Sequence, residues 1–437
     1  MLHSTSWVKN LKTPIAVIGL GKSGLSALQY LKLLGYSDSD LITYDDKKPT
    51  SLGFRHVSLP HELTNLFPRT LVVSPGVSLK TSWIQQLAMT GALITSELSL
   101  ASALLTTEKL IGVTGSVAKS TVTSLLGVGA AEIDKNCFVG GNLGIPFCDY
   151  AAGLLSGRPK ADWVVLELSS YQLENCAHLK FEYSAITFLS PNHLERYNTL
   201  EEYYQTKLHL TQITKNICFF NSTSEDAALF APRSDCAHAL INAKSFSDQN
   251  LLASVQLIGP HNKDNFALAA ELGQKAGWPN ESFAAMAKYQ GLPHRLEFVT
   301  ESRGVKYIND SKATALDSVI VAAQGCLEQI ADQSRLFLLL GGKDKNLPWK
   351  QLSFLKSDSR ITFVFFGACG PVAQKKSDLA GEVFDRLQPA LESCFLRASA
   401  GDTVLLSPGG TSLDEFKNFE DRGEFFKNLV IQKSAKS

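Results

Sequence analysis

The segment between Leu110 and Thr121 has the residue types of a phosphate-binding loop. It reads LIGVTGSVAKST, so an apolar run is followed by small residues and then by Lys119, Ser120 and Thr121. A phosphate loop needs inward-pointing backbone N–H groups, a lysine that reaches the β- and γ-phosphates, and a hydroxyl that ligates magnesium. Lys119 supplies the cation and Ser120 or Thr121 the hydroxyl, so the segment predicts a nucleoside triphosphate site. Ala118 stands where such loops normally carry glycine.

Polar side chains downstream of this loop follow strand-like segments. Glu167 comes directly after the apolar run WVVL, and His193 comes shortly after the run that ends at Phe188. Because the carboxyl ends of parallel strands share one edge of a sheet, we expect this carboxylate and imidazole to face one phosphate-bound magnesium. Lys207 ends the amphipathic segment 200–207, where its own sequence context predicts a solvated surface lysine.

A second glycine-rich turn lies near the N-terminus. The sequence GLGKSG, from Gly19 to Gly24, follows a strand-like run and opens a helix, and a helix N-terminus attracts phosphate. Asp45 and Asp46 end the next strand, about where a carboxylate reaches a ribose hydroxyl. This pattern is open to three interpretations: a dinucleotide site such as one for NAD, a site for another nucleotide such as a UDP-sugar, or a tight turn that binds nothing.

Strands and helices must alternate along the chain to position these loops. Short β-type runs separated by helical stretches indicate an α/β protein with parallel sheets. The clearest strand-like runs are 14–19, 71–74, 110–113, 163–166, 185–188, 336–340, 362–366 and 403–406. They fall into three blocks, the first closing near Ser96 and the third beginning around Gly291.

The composition narrows the range of partners. The 437 residues include 42 Lys plus Arg and 42 Asp plus Glu, so no net charge favours nucleic acid or an anionic membrane. The eight cysteines form no CxxC pair, and neither a zinc site nor a disulfide framework is indicated. No signal-type or membrane-spanning apolar run is present. We therefore expect a cytoplasmic protein with reduced thiols.

Ten segments stand in a characteristic order and spacing along the chain. They are GLGKSG from Gly19, GSVAKST from Gly115, GGNLGIP from Gly140, LELSSYQLE from Leu166, NHLERY from Asn192 followed by Lys207, GPHNKDN from Gly259, GLPHR from Gly291, INDSKAT from Ile308, LGGKDK from Leu340 and SPGGTSLDEFKNF from Ser407. Together these segments resemble the Mur ligases of peptidoglycan synthesis. INDSKAT and LDEFKNFEDRG resemble the D-glutamate-adding members of that family in particular.

The resemblance implies three domains and a two-step reaction. Residues 1–97 would form a Rossmann-like domain for the UDP-substrate, residues 98–293 a central P-loop ATPase-like domain with a parallel sheet for ATP and Mg²⁺, and residues 294–437 a Rossmann-like C-terminal domain for the amino acid. ATP would activate the carboxylate of UDP-N-acetylmuramoyl-L-alanine as an acyl phosphate, which the amine of D-glutamate then attacks. We expect the enzyme to act as a monomer.

The resemblance also implies a role for each matched residue, with Lys119, His193 and Lys207 as the catalytic residues. The ATP contacts are Gly115, Ser116, Val117, Ala118, Lys119, Ser120, Thr121, Asn262, Asn265, Arg295 and Asp310. The UDP-substrate contacts are Gly21, Lys22, Ser23, Asp45, Asp46, Asn142 and His193. The D-glutamate contacts are Lys312, Thr314, Lys345, Ser412, Leu413 and Phe419. The metal ligands are Ser120, Glu167, His193 and Lys207, and the family's lysine at the position of Lys207 is carbamylated.

Two departures from the family pattern bear on these expectations. The usual loop Gly-Thr-Asn-Gly-Lys reads Gly-Ser-Val-Ala-Lys here, and a left-handed backbone at Ala118 would cost about 1–2 kcal/mol. Gly409-Gly-Thr replaces the usual Ala-Cys-Ala before Ser412, which would loosen the glutamate pocket. The alternatives are another Mur or folylpolyglutamate-type amide ligase, a nucleotide-binding homologue without catalysis, and an NAD-dependent dehydrogenase.

Overall fold

The computed structural model describes residues 6–46, 54–191 and 196–435. The chain divides into two compact units, one of Met1–Val255 with Asp264–Ala287 and the other of Gln256–Lys263 with Lys288–Ser437. The first unit contains two β-sheets and the second contains one. The predicted α/β class is thereby confirmed, whereas the domain limits at residues 97 and 293 stay predictions.

The first sheet has five parallel strands in the order β3-β2-β1-β4-β5, the order of a Rossmann-type sheet. The order reverses between β1 and β4, and ligands of such sheets bind at the carboxyl ends of the strands at this point. The strands are β1 Ile15–Ile18, β2 Leu41–Tyr44, β3 Arg55–Val57, β4 Thr70–Val73 and β5 Leu93–Thr95. The helices are α1 Ser6–Lys9, α2 Lys22–Leu33, α3 Pro60–Thr64, α4 Ser82–Met89 and α5 Glu97–Ser102.

The second sheet has six parallel strands in the order β11-β10-β9-β6-β8-β7. They are β6 Lys109–Thr114, β7 Phe138–Gly141, β8 Trp163–Glu167, β9 Phe181–Ile186, β10 Thr214–Asn221 and β11 Ala237–Ile241. The helices are α6 Lys119–Ala131, α7 Phe147–Leu155, α8 Ser170–Leu173, α9 Leu200–Gln212, α10 Glu225–Phe230, α11 Gln249–Ala253, α12 His261–Lys275 and α13 Asn280–Ala287. Helix α9 continues past Lys207, where the amphipathic pattern predicted its end.

The third sheet, in the second unit, has the order β12-β13-β17-β14-β15-β16 and is parallel except for the β12–β13 pair. The strands are β12 Glu297–Ser302, β13 Val305–Asn309, β14 Leu336–Gly341, β15 Ile361–Phe366, β16 Gly381–Phe384 and β17 Thr403–Gly409. The helices are α14 Leu316–Leu327, α15 Gly370–Ser377, α16 Leu387–Arg397 and α17 Phe419–Ser434. Short 3₁₀ segments lie at Asp38–Asp40, Ala231–Arg233 and Trp349–Ser357.

One apolar core runs through both sheets of the first unit. It contains Leu31 of α2, Leu100 of α5 and Phe147 of α7, all of them fully buried. Removal of such side chains from water is the main stabilising contribution to folding, so this core makes the two sheets one compact body. Within the described ranges, no helix is long and apolar enough to span a membrane. All eight cysteines carry free thiols.

Candidate active site

The phosphate loop connects β6 to α6 and contains two strained or crowded backbone positions. Ala118 has φ 67° and ψ 0°, which confirms the left-handed conformation considered for it. Such a backbone costs a residue with a β-carbon about 1–2 kcal/mol relative to glycine. Gly115 has φ 150°, and a β-carbon there would lie 1.9 Å from Thr187 Oγ1. The loop thus requires glycine at position 115 and tolerates alanine at 118.

Two lysines converge on one carbonyl oxygen of this loop. Lys119 Nζ donates to Gly115 O at 2.9 Å, and Lys207 Nζ donates to the same oxygen at 2.8 Å. Lys207 is only 1% exposed, so its prediction as a solvated surface lysine is wrong. The reason is that α9 packs this side chain against the loop. Burial lowers the pKa of Lys207 well below its ordinary value, and the charge of Lys119 lowers it further.

Tyr203 links α9 to the loop and was missed by sequence reasoning. Its hydroxyl donates to Ser116 Oγ at 3.1 Å, and its ring centre lies 4.5 Å from Lys207 Nζ. Residues four apart share one helix face, so the position of Tyr203 relative to Lys207 was the available signal. The amides of Ser116 and Val117 both donate to Phe188 O, at 2.9 and 3.1 Å. Attraction for phosphate therefore rests on the N-terminus of α6 and on Lys119.

Glu167 lies beside the loop, because β8 pairs with β6 and aligns it with Val113. Asn142 Nδ2 donates to Glu167 Oε1 at 2.6 Å. Glu167 is buried, and its other oxygen, Oε2, has no hydrogen-bond partner among the residues that the structure describes. A buried oxygen without a donor is costly, and a hard cation such as Mg²⁺ would satisfy it.

The predicted metal ligands can be compared with these contacts. Ser120 is buried in the first turn of α6, next to Lys119, and Lys207 reaches the same loop. Over ranges 6–46, 54–191 and 196–435, no group of three or more His, Cys, Asp or Glu side chains is arranged to hold a metal. His193 lies outside the described residues. The oxygen donors of Ser120 and Glu167 fit magnesium, whereas an unmodified lysine amine does not.

A cleft of about 420 Å³ in the first unit brings together predicted nucleotide contacts. Six of the predicted UDP-substrate contacts line it, namely Gly21, Lys22, Ser23, Asp45, Asp46 and Asn142. The rest of the lining consists of Gly19, Gly141, Gly144, Pro146, Ser74–Val77 and Gln172. Sequence reasoning did not select Ser74–Val77 or Gln172. The cleft lies where the strand order reverses, between the loops after β1 and β4. That topological rule was an available signal for the turn after β4, which sequence reasoning did not use.

In the second unit, the predicted D-glutamate residues follow three adjacent parallel strands, β13, β17 and β14. Lys312 and Thr314 come after β13, Lys345 after β14, and Ser412 and Leu413 after β17. Ser412 is buried, whereas Lys345 and Leu413 are exposed. The ammonium of Lys312 lies 5.1 Å from the ring centre of Phe419, which begins α17. The loops at the carboxyl edge of this sheet therefore carry two lysines, Lys312 and Lys345, and the hydroxyl of Ser412 on neighbouring strands.

Asp310, also at this edge, is a buried carboxyl group. Ser407 Oγ donates to its Oδ2 at 2.8 Å, and the Leu296 amide donates to its Oδ1 at 3.2 Å. Burial raises the pKa of Asp310 to about 7, although both hydrogen bonds and the nearby charge of Arg295 act to lower it. Asn262 and Asn265 lie in the first turns of α12, and Asn262 Nδ2 donates to Ile258 O at 2.7 Å.

Arg422 is a fully buried residue that sequence reasoning did not select. Its guanidinium donates to Ser311 Oγ at 3.0 Å, to Ser311 O at 2.8 Å and to Gly410 O at 3.2 Å. Burial lowers its pKa to about 10. The main chains of Thr411 and Lys343 also exchange two hydrogen bonds, at 2.7 and 3.0 Å. These contacts hold the Gly-Gly-Thr segment, in which a β-carbon at Gly410 would lie 2.5 Å from a carbonyl oxygen.

Comparisons with known proteins give a family match to the middle of the chain and relatives that cover nearly all of it. The family model of the Mur ligase middle domain matches residues 113–248. The chain is 33% identical to the UDP-N-acetylmuramoylalanine--D-glutamate ligases of Myxococcus xanthus and Haemophilus influenzae, over 95% of its own length and 97% of theirs. The MurF ligase from Thermotoga maritima in complex with ADP has the same fold, with a TM-score of 0.60 at 14% identity, covering 98% of this chain and 97% of that one.

Proposed function

This chain belongs to the Mur ligase family, and we propose that it joins D-glutamate to UDP-N-acetylmuramoyl-L-alanine in an ATP-dependent step of peptidoglycan precursor synthesis. The observation that carries the proposal is the 33% identity with D-glutamate-adding ligases over 95% of the chain. Two features of the first unit support it: a cleft lined by the predicted UDP-substrate contacts, and a phosphate loop beside a buried carboxylate.

The reaction has two chemical steps. The terminal carboxylate of the UDP-substrate attacks the γ-phosphorus of ATP, and the bond to ADP breaks to leave an acyl phosphate. The amine of D-glutamate then attacks the acyl carbon, and collapse of the tetrahedral intermediate expels phosphate and leaves an amide. Phosphoryl transfer depends mainly on alignment and charge neutralisation. Lys119 and the N-terminus of α6 would neutralise charge on the transferred phosphoryl group.

Magnesium would be held by oxygen ligands at the phosphate loop. When bound, it offsets the repulsion between the attacking carboxylate and the phosphate. Glu167 Oε2 and Ser120 are the described candidates, and His193 is a further one. Lys207 would join them as a carbamate, which forms when a neutral amine adds carbon dioxide and releases a proton. Its lowered pKa favours the neutral amine that this addition needs.

The remaining contacts are assigned by the family resemblance. Asn262, Asn265, Arg295 and Asp310 would hold the adenosine and phosphates of ATP. Lys312, Thr314, Lys345, Ser412, Leu413 and Phe419 would bind D-glutamate, where cations and hydroxyls pair with its two carboxylates. We further propose that the enzyme works as a cytoplasmic monomer and that the cleft at Gly21 binds UDP rather than NAD.

The decisive measurement is phosphate release from ATP with each substrate omitted in turn. We expect release only when both UDP-N-acetylmuramoyl-L-alanine and D-glutamate are present. L-glutamate, L-alanine and a diamino acid should not replace D-glutamate, and preference for one of them would point to another amide ligase. Release with no acceptor dependence, or none at all, would favour a homologue without this activity.

The same assay tests the buried lysine. Lys207→Ala should lose most of its turnover and regain part of it when short carboxylates are added, because they replace the missing carbamate oxygens. Lys135→Ala is the matched control, since Lys135 is exposed just beyond α6 and should retain wild-type turnover. Unchanged turnover in Lys207→Ala would remove Lys207 from the site.

A further inference from the structure

Arg196 belongs to the NHLERY segment, yet the reaction described above gives it no part. Its side chain is only 12% exposed, and its guanidinium carbon lies 4.0 Å from the ring centre of Tyr171. Nη2 donates to Glu174 Oε2 at 2.7 Å, and Nη1 donates to Pro75 O at 2.8 Å. A guanidinium that bonds two chain segments through a rigid, planar group fixes the distance between them.

The segment that accepts from Nη1 is the turn Ser74–Val77, which lines the nucleotide cleft. Val77 O lies 3.5 Å from Nη2 of Arg196, so a second carbonyl of the turn faces the same guanidinium. The turn follows β4 of the first sheet, whereas Glu174 follows α8 beside the second sheet. One wall of the cleft follows the first sheet and is therefore held by Arg196, whose segment connects β9 of the second sheet to α9.

Glu174 connects this arginine to the phosphate loop through a continuous set of contacts. Its Oε1 accepts from the Tyr197 hydroxyl at 2.8 Å, and the ring centres of Tyr197 and Tyr203 are 5.3 Å apart. The Tyr203 hydroxyl in turn donates to Ser116 Oγ in the loop. Packed side chains and hydrogen bonds thus run without a break from the phosphate loop to the nucleotide cleft.

We propose that Arg196 is a positioning residue for the nucleotide part of the substrate. It holds the Ser74–Val77 turn in the shape that lines the cleft, and Glu174 holds the guanidinium. It touches no reacting atom. The choice of UDP as the bound nucleotide rests on the proposed function, whereas the holding of the turn rests on the contacts alone. Lysine at this position keeps the charge but cannot bond Glu174 and the turn with one planar group.

The test uses the full chain in four forms: wild type, Arg196→Lys, Glu174→Gln and a matched control, Arg233→Lys. Arg233 also pairs with a glutamate, Glu201, and its guanidinium carbon lies 4.3 Å from the ring centre of Phe230. It is 47% exposed and does not line the cleft. Arg233→Lys therefore shows how far the loss of an ion pair and of ring stacking, away from the cleft, changes the same readouts.

Two readouts are made on each form. Hydrogen–deuterium exchange follows the peptide that covers residues 74–79, and calorimetry gives the dissociation constants of UDP and ADP. In Arg196→Lys we expect exchange of this peptide to be about tenfold faster and UDP to bind about tenfold more weakly, the effect of losing one charge-assisted hydrogen bond. ADP affinity should change less than twofold. In Glu174→Gln, the exchange rate and the UDP affinity should lie between those of the wild type and of Arg196→Lys. In Arg233→Lys, both quantities should match the wild type.

The outcomes separate the positioning role from the proposed substrate. Unchanged exchange at residues 74–79, or unchanged UDP affinity in Arg196→Lys when the wild type binds UDP, overturns the positioning role. Equal losses of UDP and ADP affinity also overturn it, because they indicate support of the whole unit. Faster exchange in Arg196→Lys combined with a wild type that does not bind UDP supports the holding of the turn and overturns the proposed substrate.

Discussion

Ala118 adopts a backbone conformation that residues with a β-carbon rarely take, and its neighbours hold it there. On one side, Gly115 passes so close to Thr187 that no side chain fits. The amides of Ser116 and Val117 are tied to Phe188 O. On the other side, α6 begins at Lys119. The surrounding contacts, rather than a glycine at position 118, therefore determine the path of the loop before α6.

Substitutions at position 118 should change stability with opposite signs. Ala118→Gly removes about 1–2 kcal/mol of left-handed strain but stabilises the unfolded chain by about 0.4–1 kcal/mol through its added entropy, so the free energy of unfolding should rise by up to about 1.6 kcal/mol. Ala118→Val should lower it by about 1–3 kcal/mol, because a β-branched residue is a strong outlier there. Urea denaturation measures the free energy of unfolding of both variants. The KM of Ala118→Gly for ATP should be equal to that of the wild type or lower. Destabilisation or a large loss of activity in the glycine variant would mean that the loop is built around the methyl group.

The strand-like runs of the sequence correspond only to interior strands of the three sheets, although the interior strands β10 and β13 were missed, and no run corresponds to an edge strand. The predicted strand-like runs correspond to β1, β4, β6, β8, β9, β14, β15 and β17. Central parallel strands have continuous apolar runs because helices cover both faces of the sheet. Edge strands such as β12 and β16 are partly exposed and carry polar residues, so a pattern based on apolar runs does not detect them.

The candidate site was predictable to a similar, limited extent. Loops after parallel strands carry function, and this rule predicted Gly115 and Glu167 at a sheet edge from the sequence alone. The role of Asp310 came only from the family resemblance. The contacts of Arg196 with Pro75 and of Arg422 with Ser311 were not predictable in this way, because the partners are far apart in sequence and only the folded packing brings them within reach.

Helix α5 ties the two sheets of the first unit together through a buried carboxyl group. Glu97, its first residue, accepts a hydrogen bond from the Cys148 amide in the first turn of α7. Burial raises the pKa of Glu97 to about 7, although this hydrogen bond acts to lower it. Because the folded-state pKa is above the unfolded one, its contribution to stability is present at low pH and is lost as pH rises toward 7.

Glu97→Gln should therefore flatten the pH dependence of stability. The substitution keeps an acceptor oxygen for the Cys148 amide but cannot ionise. Between pH 5 and pH 8 the wild type should lose on the order of 2–3 kcal/mol of unfolding free energy more than the variant does. Denaturant titrations at a series of pH values measure this difference. Glu132→Gln, which changes an exposed carboxylate after α6, should follow the wild type, and parallel profiles for all three proteins would contradict the prediction.

The whole molecule consists of two compact units, and each holds a different set of predicted contacts. The described UDP-substrate contacts are all in the first unit, and the D-glutamate contacts are all in the second. Helix α12 begins at His261 among residues of the second unit and continues into the first. A ligand that binds only one unit should stabilise that unit, because binding to the folded state shifts the folding equilibrium by mass action.

Calorimetric unfolding should show two transitions, and UDP should raise the midpoint temperature of only one of them. At a concentration of about 100 times its Kd, UDP adds about 2.7 kcal/mol to the stability of the unit that binds it. Leu338→Ala removes a buried side chain of β14 and should lower the midpoint temperature of the second unit's transition. This shift identifies which of the two transitions belongs to the second unit. A single transition, or an upward shift by UDP of the transition that Leu338→Ala lowers, would contradict this prediction.

The left-handed alanine also affects how such loops are recognised. A short search pattern that demands glycine before the lysine passes over this chain, although residue 118 has the backbone angles that the glycine normally supplies. The start of the helix requires a left-handed backbone conformation, and more than one residue type can adopt it if the neighbouring contacts enforce it. A pattern written in backbone angles would group this loop with glycine-containing ones, and it would direct attention to the residues that enforce the bend.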